Sequence, residues 1–297
     1  MGMWYPARRG VLRTGAKAMT EFKKIGKPAA LGREPPQNSQ DNPDQDSDKP
    51  VLVRYTWGVL KDFEFAKKIL PQNPWIDHVG HQKNRSFVRV EGIHKHIQEY
   101  GMPFLLVEDF NTTGLRGDAF QMHPTEDDEG NMDDASEENN VIWFLRAIDV
   151  STPRKARGGS HGIGKMAFPA SSKVSTMFVV TSRDDSEVPR FLSGMTFLDN
   201  RTRFKTPYGP EMYYCEQCPV DEANQHSWIP ITDDSEIEEF CSTLGIERPV
   251  GNKGTSVMIP FPDDSLTPEA IEMSLIANYA VPISQGKVVF EIRRIEE

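Results

Sequence analysis

The octet Gly158-Gly-Ser-His-Gly-Ile-Gly-Lys165 constrains this chain more than any other string in it. Four glycines in eight residues do not hold a helix or strand together, because glycine loses the most backbone freedom on ordering. Bare N–H groups, the cation of Lys165 and a following stretch, Met166 to Ser172, that can open a helix are what a phosphate cradle requires. A flexible linker shares the composition. Gly159 to Lys165 also fits the P-loop pattern G-x-x-x-x-G-K, but two features count against it. Met166 stands where the P-loop needs a Ser or Thr hydroxyl, and Thr152 to Arg157 is a polar, basic loop rather than a buried strand.

The rest of the chain reads as one large domain with extensions. Its 297 residues are 37% hydrophobic and 26% charged, the balance of a soluble globular protein, and no run of about 18 apolar residues offers a membrane span. A net charge of -10 disfavours nucleic acid as a direct ligand. Three cysteines, Cys215, Cys218 and Cys241, are too few for a disulfide framework and fit a reducing cytoplasm. Cys215-Glu-Gln-Cys218 with His226 and Cys241 leaves a zinc site open beside plain buried thiols. Residues 1–19, basic and with scattered apolar positions, read as a flexible arm ahead of a domain over 20–297. Residues 200–228 read as a surface excursion.

Strands are expected at Val51 to Trp57, Phe104 to Val107, Val174 to Ser182, Phe191 to Leu198, Ser256 to Ile259 and Lys287 to Ile292. Helices are expected at Val59 to Leu70, Phe87 to Tyr100 with Gly101 as terminator, and Val141 to Ile148. Two more begin at Asp234-Ser235, with Glu238 as capping-box partner, and after Thr267-Pro268. The acidic stretch His123 to Glu138 is a solvated loop. The alternation predicts an α/β protein with a mixed, mostly antiparallel sheet and helices largely on one face, a two-layer sandwich.

Three further strings carry chemistry. Glu34, Asn38 and Asp41 are spaced by four and three, which puts a carboxylate, an amide and a carboxylate on one helix face. There Glu34 can orient a water as general base, Asn38 can offer an oxygen to Mg and Asp41 can brace the site, or the three are a solvated polar face. Asp109 ends a buried strand and is followed by Thr113 and Gly114, where a carboxylate can accept from an exocyclic base amine or serve an Asx turn. Gly251-Asn-Lys-Gly-Thr-Ser256 enters a strand with Thr255 near a base or a bridging water.

In order, Glu-x-x-x-Asn-x-x-Asp, Asp with Thr-Gly, a lid ending in Gly-x-x-Gly-x-Gly, and Gly-Thr resemble the GHKL ATPases, the superfamily of gyrase B subunits, heat-shock chaperones, histidine kinases and mismatch-repair ATPases. The resemblance covers about Gly32 to Ile259. Val107 to Leu115 and Gly158 to Phe168 look most like uncharacterised bacterial chaperone-like members. It implies a Bergerat-type fold that binds ATP and Mg. Glu34 would activate water, Asn38 would ligate Mg, Asp109 would bind the adenine amine with support from Thr255, and Gly114 would make room for the base. Gly159, Ser160, His161, Gly162, Ile163, Gly164 and Lys165 would wrap the phosphates. Residues 116–157 would be an enlarged lid, ordered by nucleotide. Slow hydrolysis, association into a homodimer or with an effector protein, and a role in bacterial stress response or phage defence follow by analogy.

Two departures mark this chain. Asn111 occupies a glycine slot in a turn one residue longer than usual, a place asparagine tolerates in the left-handed region. Pro35 and Pro36 follow Glu34 and push it to or before the helix cap.

Overall fold

The central strands form where apolar residues occupy both parities of the chain. The computed structural model describes residues 2–8, 25–70, 72–80, 90–122, 125, 139–146, 164–219 and 227–295. Among these, β1 (Met3–Arg8), β2 (Val51–Leu60), β3 (Met102–Phe110), β4 (Thr176–Ser182), β5 (Arg190–Phe197), β6 (Arg201–Arg203), β7 (Thr206–Cys215), β8 (Gly254–Pro260) and β9 (Val288–Arg294) make one sheet. Its order is β1-β7-β5-β4-β8-β3-β2-β9, with β6 paired to β7. Only β2 and β9 run parallel; the other ladders are antiparallel.

The helices are α1 (Lys27–Leu31), α2 (Glu34–Asp41), α3 (Phe63–Ile69), α4 (Trp75–Val79), α5 (Val90–Tyr100), α6 (Ala167–Ser171), α7 (Asp234–Leu244) and α8 (Pro268–Ser284). They cover both faces of the sheet, so the two-layer expectation is corrected to three layers. On one face α1, α6 and α8 pack Leu31, Phe168 and Leu275 against Val53, Leu105, Val107, Val179 and Val257. On the other, α3, α4, α5 and α7 pack Ile69, Trp75, Ile97 and Phe240 against Phe104, Leu106, Phe178 and Met258. The reason is the strand composition: β4, β5 and β8 are buried at every position, so each face carries a full apolar row that needs its own cover.

Two organisational expectations are also corrected. Residues 3–8 are not a flexible arm but an edge strand, and Trp4 is buried against Trp75, Phe178 and Tyr214 while its indole N–H donates to Ile69 O at 2.8 Å. Residues 201–215 are not an excursion but β6 and β7, with Tyr213, Tyr214 and Cys215 buried. Residues 1 and 9–19 of the arm and residues 220–226 lie outside the described residues, as does 123–138 apart from Thr125.

Element ends follow local chemistry. β2 runs on to Leu60, and Asp62 caps α3 by accepting from Phe65 N at 2.9 Å, so the helix starts later than Val59. Gly101 ends α5 at φ 82, as its position required. Asp233, not Asp234 or Ser235, caps α7 through Glu236 N at 2.9 Å, and Glu238 binds Arg190 instead of closing a capping box. Thr267 and Pro268 open α8 as expected. A π-helical turn (Ile142–Arg146) stands where an ordinary helix was expected.

Replacing Trp4 with Ala removes a buried aromatic with a satisfied N–H. Urea denaturation is expected to show a loss of about 3 to 5 kcal/mol; an unchanged midpoint would mean residues 3–8 do not belong to the sheet.

Candidate functional site

One cavity of about 1070 Å³ opens between α2 and the sheet face that carries Val53, Val107 and Val257. Its walls take Glu34, Asn38 and Asp41 from α2, Asp109, Thr113 and Gly114 from the end of β3 and its turn, Thr255 from β8, and Gly164 and Lys165 from a 3-10 turn (Gly164–Met166). Of the cradle residues, 158–163 lie outside the described residues. The nine other predicted site residues all face this one space.

Helix α2 forms despite two prolines because both fall in its first turn, where no intrahelical N–H is needed. Glu34 is therefore its first residue. The side chain is buried, and Arg33 grips Oε1 with Nε at 2.9 Å and Nη2 at 2.5 Å. A Cβ at Gly164 would meet Glu34 Oε2 at 2.5 Å, so the bare glycine is what lets the carboxylate lie against the backbone there. Ser39, one position after Asn38, donates from Oγ to Asp109 Oδ2 at 3.0 Å and so ties α2 to β3.

Asp109 is the hub. Its Oδ1 accepts from Thr255 N and from Thr112 Oγ1, each at 2.7 Å. Thr255 thus supports Asp109 through its backbone N–H, while its hydroxyl lies 3.5 Å from that of Thr181. The turn after β3 is held open by Asn111 at φ 59, whose amide donates to Pro50 O at 2.8 Å, and Thr113 N donates to Asn42 O at 3.0 Å. Gly114, at φ 69, is needed for a different reason than expected. A Cβ there would strike Ser182 O at 2.5 Å and Thr181 Oγ1 at 2.9 Å, so the room it leaves is filled by the ends of β4 and β8 rather than by open cavity.

Beneath the hub lies a charged network that no spacing in the sequence announces. Arg248 is fully buried, donating to Asp109 O at 2.5 Å, Lys253 O at 3.0 Å and Ser256 Oγ at 3.1 Å. Ser256 in turn donates to Glu108 Oε1 at 2.9 Å. The guanidinium groups of Arg54 and Arg248 each lie over the Phe110 ring, at 4.6 and 4.4 Å from its centre. Burial pushes the Glu108 carboxyl up, against the pull of Arg248, Ser256 and Arg54; burial likewise pulls the Arg248 guanidinium down, against Asp109 and Glu108. At the rim Lys253 bridges Asp44 at 2.6 Å and Asp184 at 2.9 Å, and the hydrogen bond to Asp44 raises its ammonium further above the usual lysine range.

Lys165 is buried and donates to Trp143 O at 2.6 Å, on the π-helical turn that also sets Phe144 into the wall. Cys215 and Cys241 belong to cores on opposite faces of the sheet and cannot share one metal; burial pushes Cys241 up to about 12 and Cys218 up to about 11. Among the described residues no cluster of three or more His, Cys, Asp and Glu could hold a metal unaided, and no helix is long and apolar enough to cross a membrane.

No protein-family model matches this chain, and no curated protein matches its sequence.

Gly254 and Gly251 both hold positive φ, at 139 and 87, but a Cβ at Gly254 would run into Arg248 Nη1 and Asp109 O, whereas one at Gly251 meets nothing within 4 Å. Gly254→Ala is expected to cost at least about 1 kcal/mol more than Gly251→Ala in denaturant unfolding. Equal losses would mean the Arg248 network does not crowd this strand end.

Proposed function

We propose that this chain binds Mg-ATP in the cavity and hydrolyses it slowly, acting as a nucleotide-driven switch of the GHKL kind with a Bergerat-type site. The observation that carries the reading is convergence. Strings about 75, 130 and 220 residues from Glu34, chosen from the sequence for base and phosphate contacts, meet the metal-contact string of α2 around a single space of nucleotide-binding size.

The donor set fits the ligand. Two carboxylate oxygens offer roughly four acceptor sites, and Asp109 uses three on Thr112, Thr255 and Ser39, which leaves one for an exocyclic amine from the cavity. Val53, Val107, Leu115 and Val257 supply an apolar bed for a purine. Among the described residues, the carboxylates Glu34, Asp41, Glu108, Asp109 and Asp185 stand around it against two cations, Arg116 and Lys165. Such a lining repels a bare triphosphate and favours one that arrives with a divalent cation. Mg is held through few protein oxygens and substrate phosphates rather than by a full protein cage, so Asn38, whose side chain lines the cavity, suffices as the protein ligand. The cation would neutralise the phosphates. Lys165 and the backbone at Gly164 are the described groups that face them, and Glu34, oriented by Arg33, is the general base for water.

The grip of Arg33 on Glu34 favours a second reading, a scaffold or sensor that holds nucleotide without turnover, because one carboxylate oxygen is already committed. Either state would be passed to a second copy or to an effector protein.

Calorimetric titration with Mg-ATP is expected to give binding that Asp109→Asn weakens by about 1 to 3 kcal/mol, the cost of an acceptor replaced by a donor against the base amine. No binding by the wild type at millimolar nucleotide would overturn the proposal. Phosphate release above buffer that disappears in Glu34→Ala identifies an ATPase; wild-type release at buffer level leaves the scaffold.

A further inference from the structure

His78 on α4 is 2% exposed, and its Nδ1 lies 2.7 Å from Arg201 Nε on β6. An arginine Nε–H only donates, so Nδ1 is the acceptor and carries no proton; the imidazole is neutral, with its proton on Nε2. The contact joins α4 to the β6–β7 hairpin, two elements distant in sequence, on the sheet face opposite the cavity.

The hairpin needs that hold. β6 is three residues long and pairs only with β7. Its two-residue tip, Phe204 and Lys205, has φ of 48 and 66, where Asn-Gly is the favoured pair and a bulky side chain is strained. Phe204 is 75% exposed, so burial does not offset the strain. Arg201 is what fixes β6. Besides binding His78 it donates from Nη1 to Gly209 O at 2.5 Å and Asp199 O at 3.4 Å, while its Nη2 finds no acceptor among the described residues.

We propose that His78 and Arg201 form a pH-sensitive latch: protonation of His78 turns Nδ1 from acceptor to donor, sets two buried cations against each other and releases the β6–β7 hairpin from α4. The guanidinium cannot give way. Burial pulls it down to about 10, against Glu211, Tyr208 and Asp199, so it stays charged throughout the range in which an imidazole titrates. The other described groups around His78 do not rescue the pair. Tyr208 on β7 offers a ring, 4.6 Å away and perpendicular, and no charge. Glu211 on β7 and Asp199 ahead of β6 already act on Arg201, and the one buried carboxylate cannot neutralise two cations. Asp77, next to His78 on α4, projects about 100° away round the helix. The folded chain resists this proton and the unfolded chain does not. The latch therefore contributes in full above the ordinary imidazole value, about pH 6.5, and is lost as pH falls below it.

Hydrogen exchange of the amides between residues 201 and 208, followed across the imidazole range, tests this against His78→Asn, whose side-chain oxygen accepts from Arg201 Nε but does not titrate. The ratio of wild-type to variant exchange cancels the intrinsic effect of pH. It is expected to stay near one at neutral pH and to rise by up to about tenfold per unit below about pH 6.5. In the wild type alone, the ring nitrogens of His78 are expected to report the Nε2–H tautomer at neutral pH by NMR, and the β6 amides to shift together with the ring as it takes up its second proton. That reading decides the matter if the variant does not fold. A ratio flat with pH, a ring protonated on Nδ1 at neutral pH, or β6 amides indifferent to the ring overturns the latch.

Discussion

The buried guanidinium of Arg248 holds together the two strand ends on which everything at the cavity depends. Desolvating an arginine costs several kcal/mol, offset only when its donors find acceptors in a fixed arrangement. Here those acceptors are the carbonyls of Asp109, Asn252, Lys253 and Thr255 and the Ser256 hydroxyl, so the charge cannot be satisfied unless the end of β3 and the start of β8 lie side by side. Asp109 then receives Thr255 N–H from the neighbouring strand and turns its remaining acceptor capacity outwards. The same crowding makes Gly254 the one residue type that fits, and it places the Gly-Thr string where the cavity needs it.

From that stitch the wall is assembled by short polar links between distant segments. Ser39 joins α2 to Asp109, Thr113 joins the β3 turn to Asn42, and Lys253 ties the loops at Asp44 and Asp184 across the rim. Each link is worth on the order of 1 kcal/mol. Their shared dependence on the β3–β8 junction means they form together. Coverage of both sheet faces makes that junction rigid: α7 and its neighbours bury the rear of the strands whose front forms the cavity floor, and Arg248 sits on the segment leading out of α7 into β8.

Much of this was legible in the chain, for local reasons. Alternating and continuous apolar runs placed most strands, Thr267-Pro268 and Gly101 marked helix ends, and the spacing of Glu34, Asn38 and Asp41 put them on one helix. The layer count was not legible, because a strand buried on both sides and one buried on a single side differ only in which partners the rest of the chain supplies. Nor were the N-terminal strand and β7. Trp4 sits in a basic stretch whose apolar residues look scattered until Tyr214 and Phe178 are placed beside it, and β7 mixes Pro207 and Pro210 with aromatics. Arg248 and Ser39 gave no signal, since their roles exist only through contacts with Asp109 some 139 and 70 residues away. The glycine octet, the strongest single string, lies mostly outside the described residues; its two described members, Gly164 and Lys165, line the cavity wall.

The central claim is that one purine triphosphate fills the space between Asp109 and Gly164. A crystal structure grown with magnesium and a non-hydrolysable ATP analogue tests it most directly. The account predicts the base amine on the Asp109 carboxylate, the metal beside Asn38 and the phosphates against the backbone at Gly164. Nucleotide seated anywhere else, or a base turned away from Asp109, would contradict it.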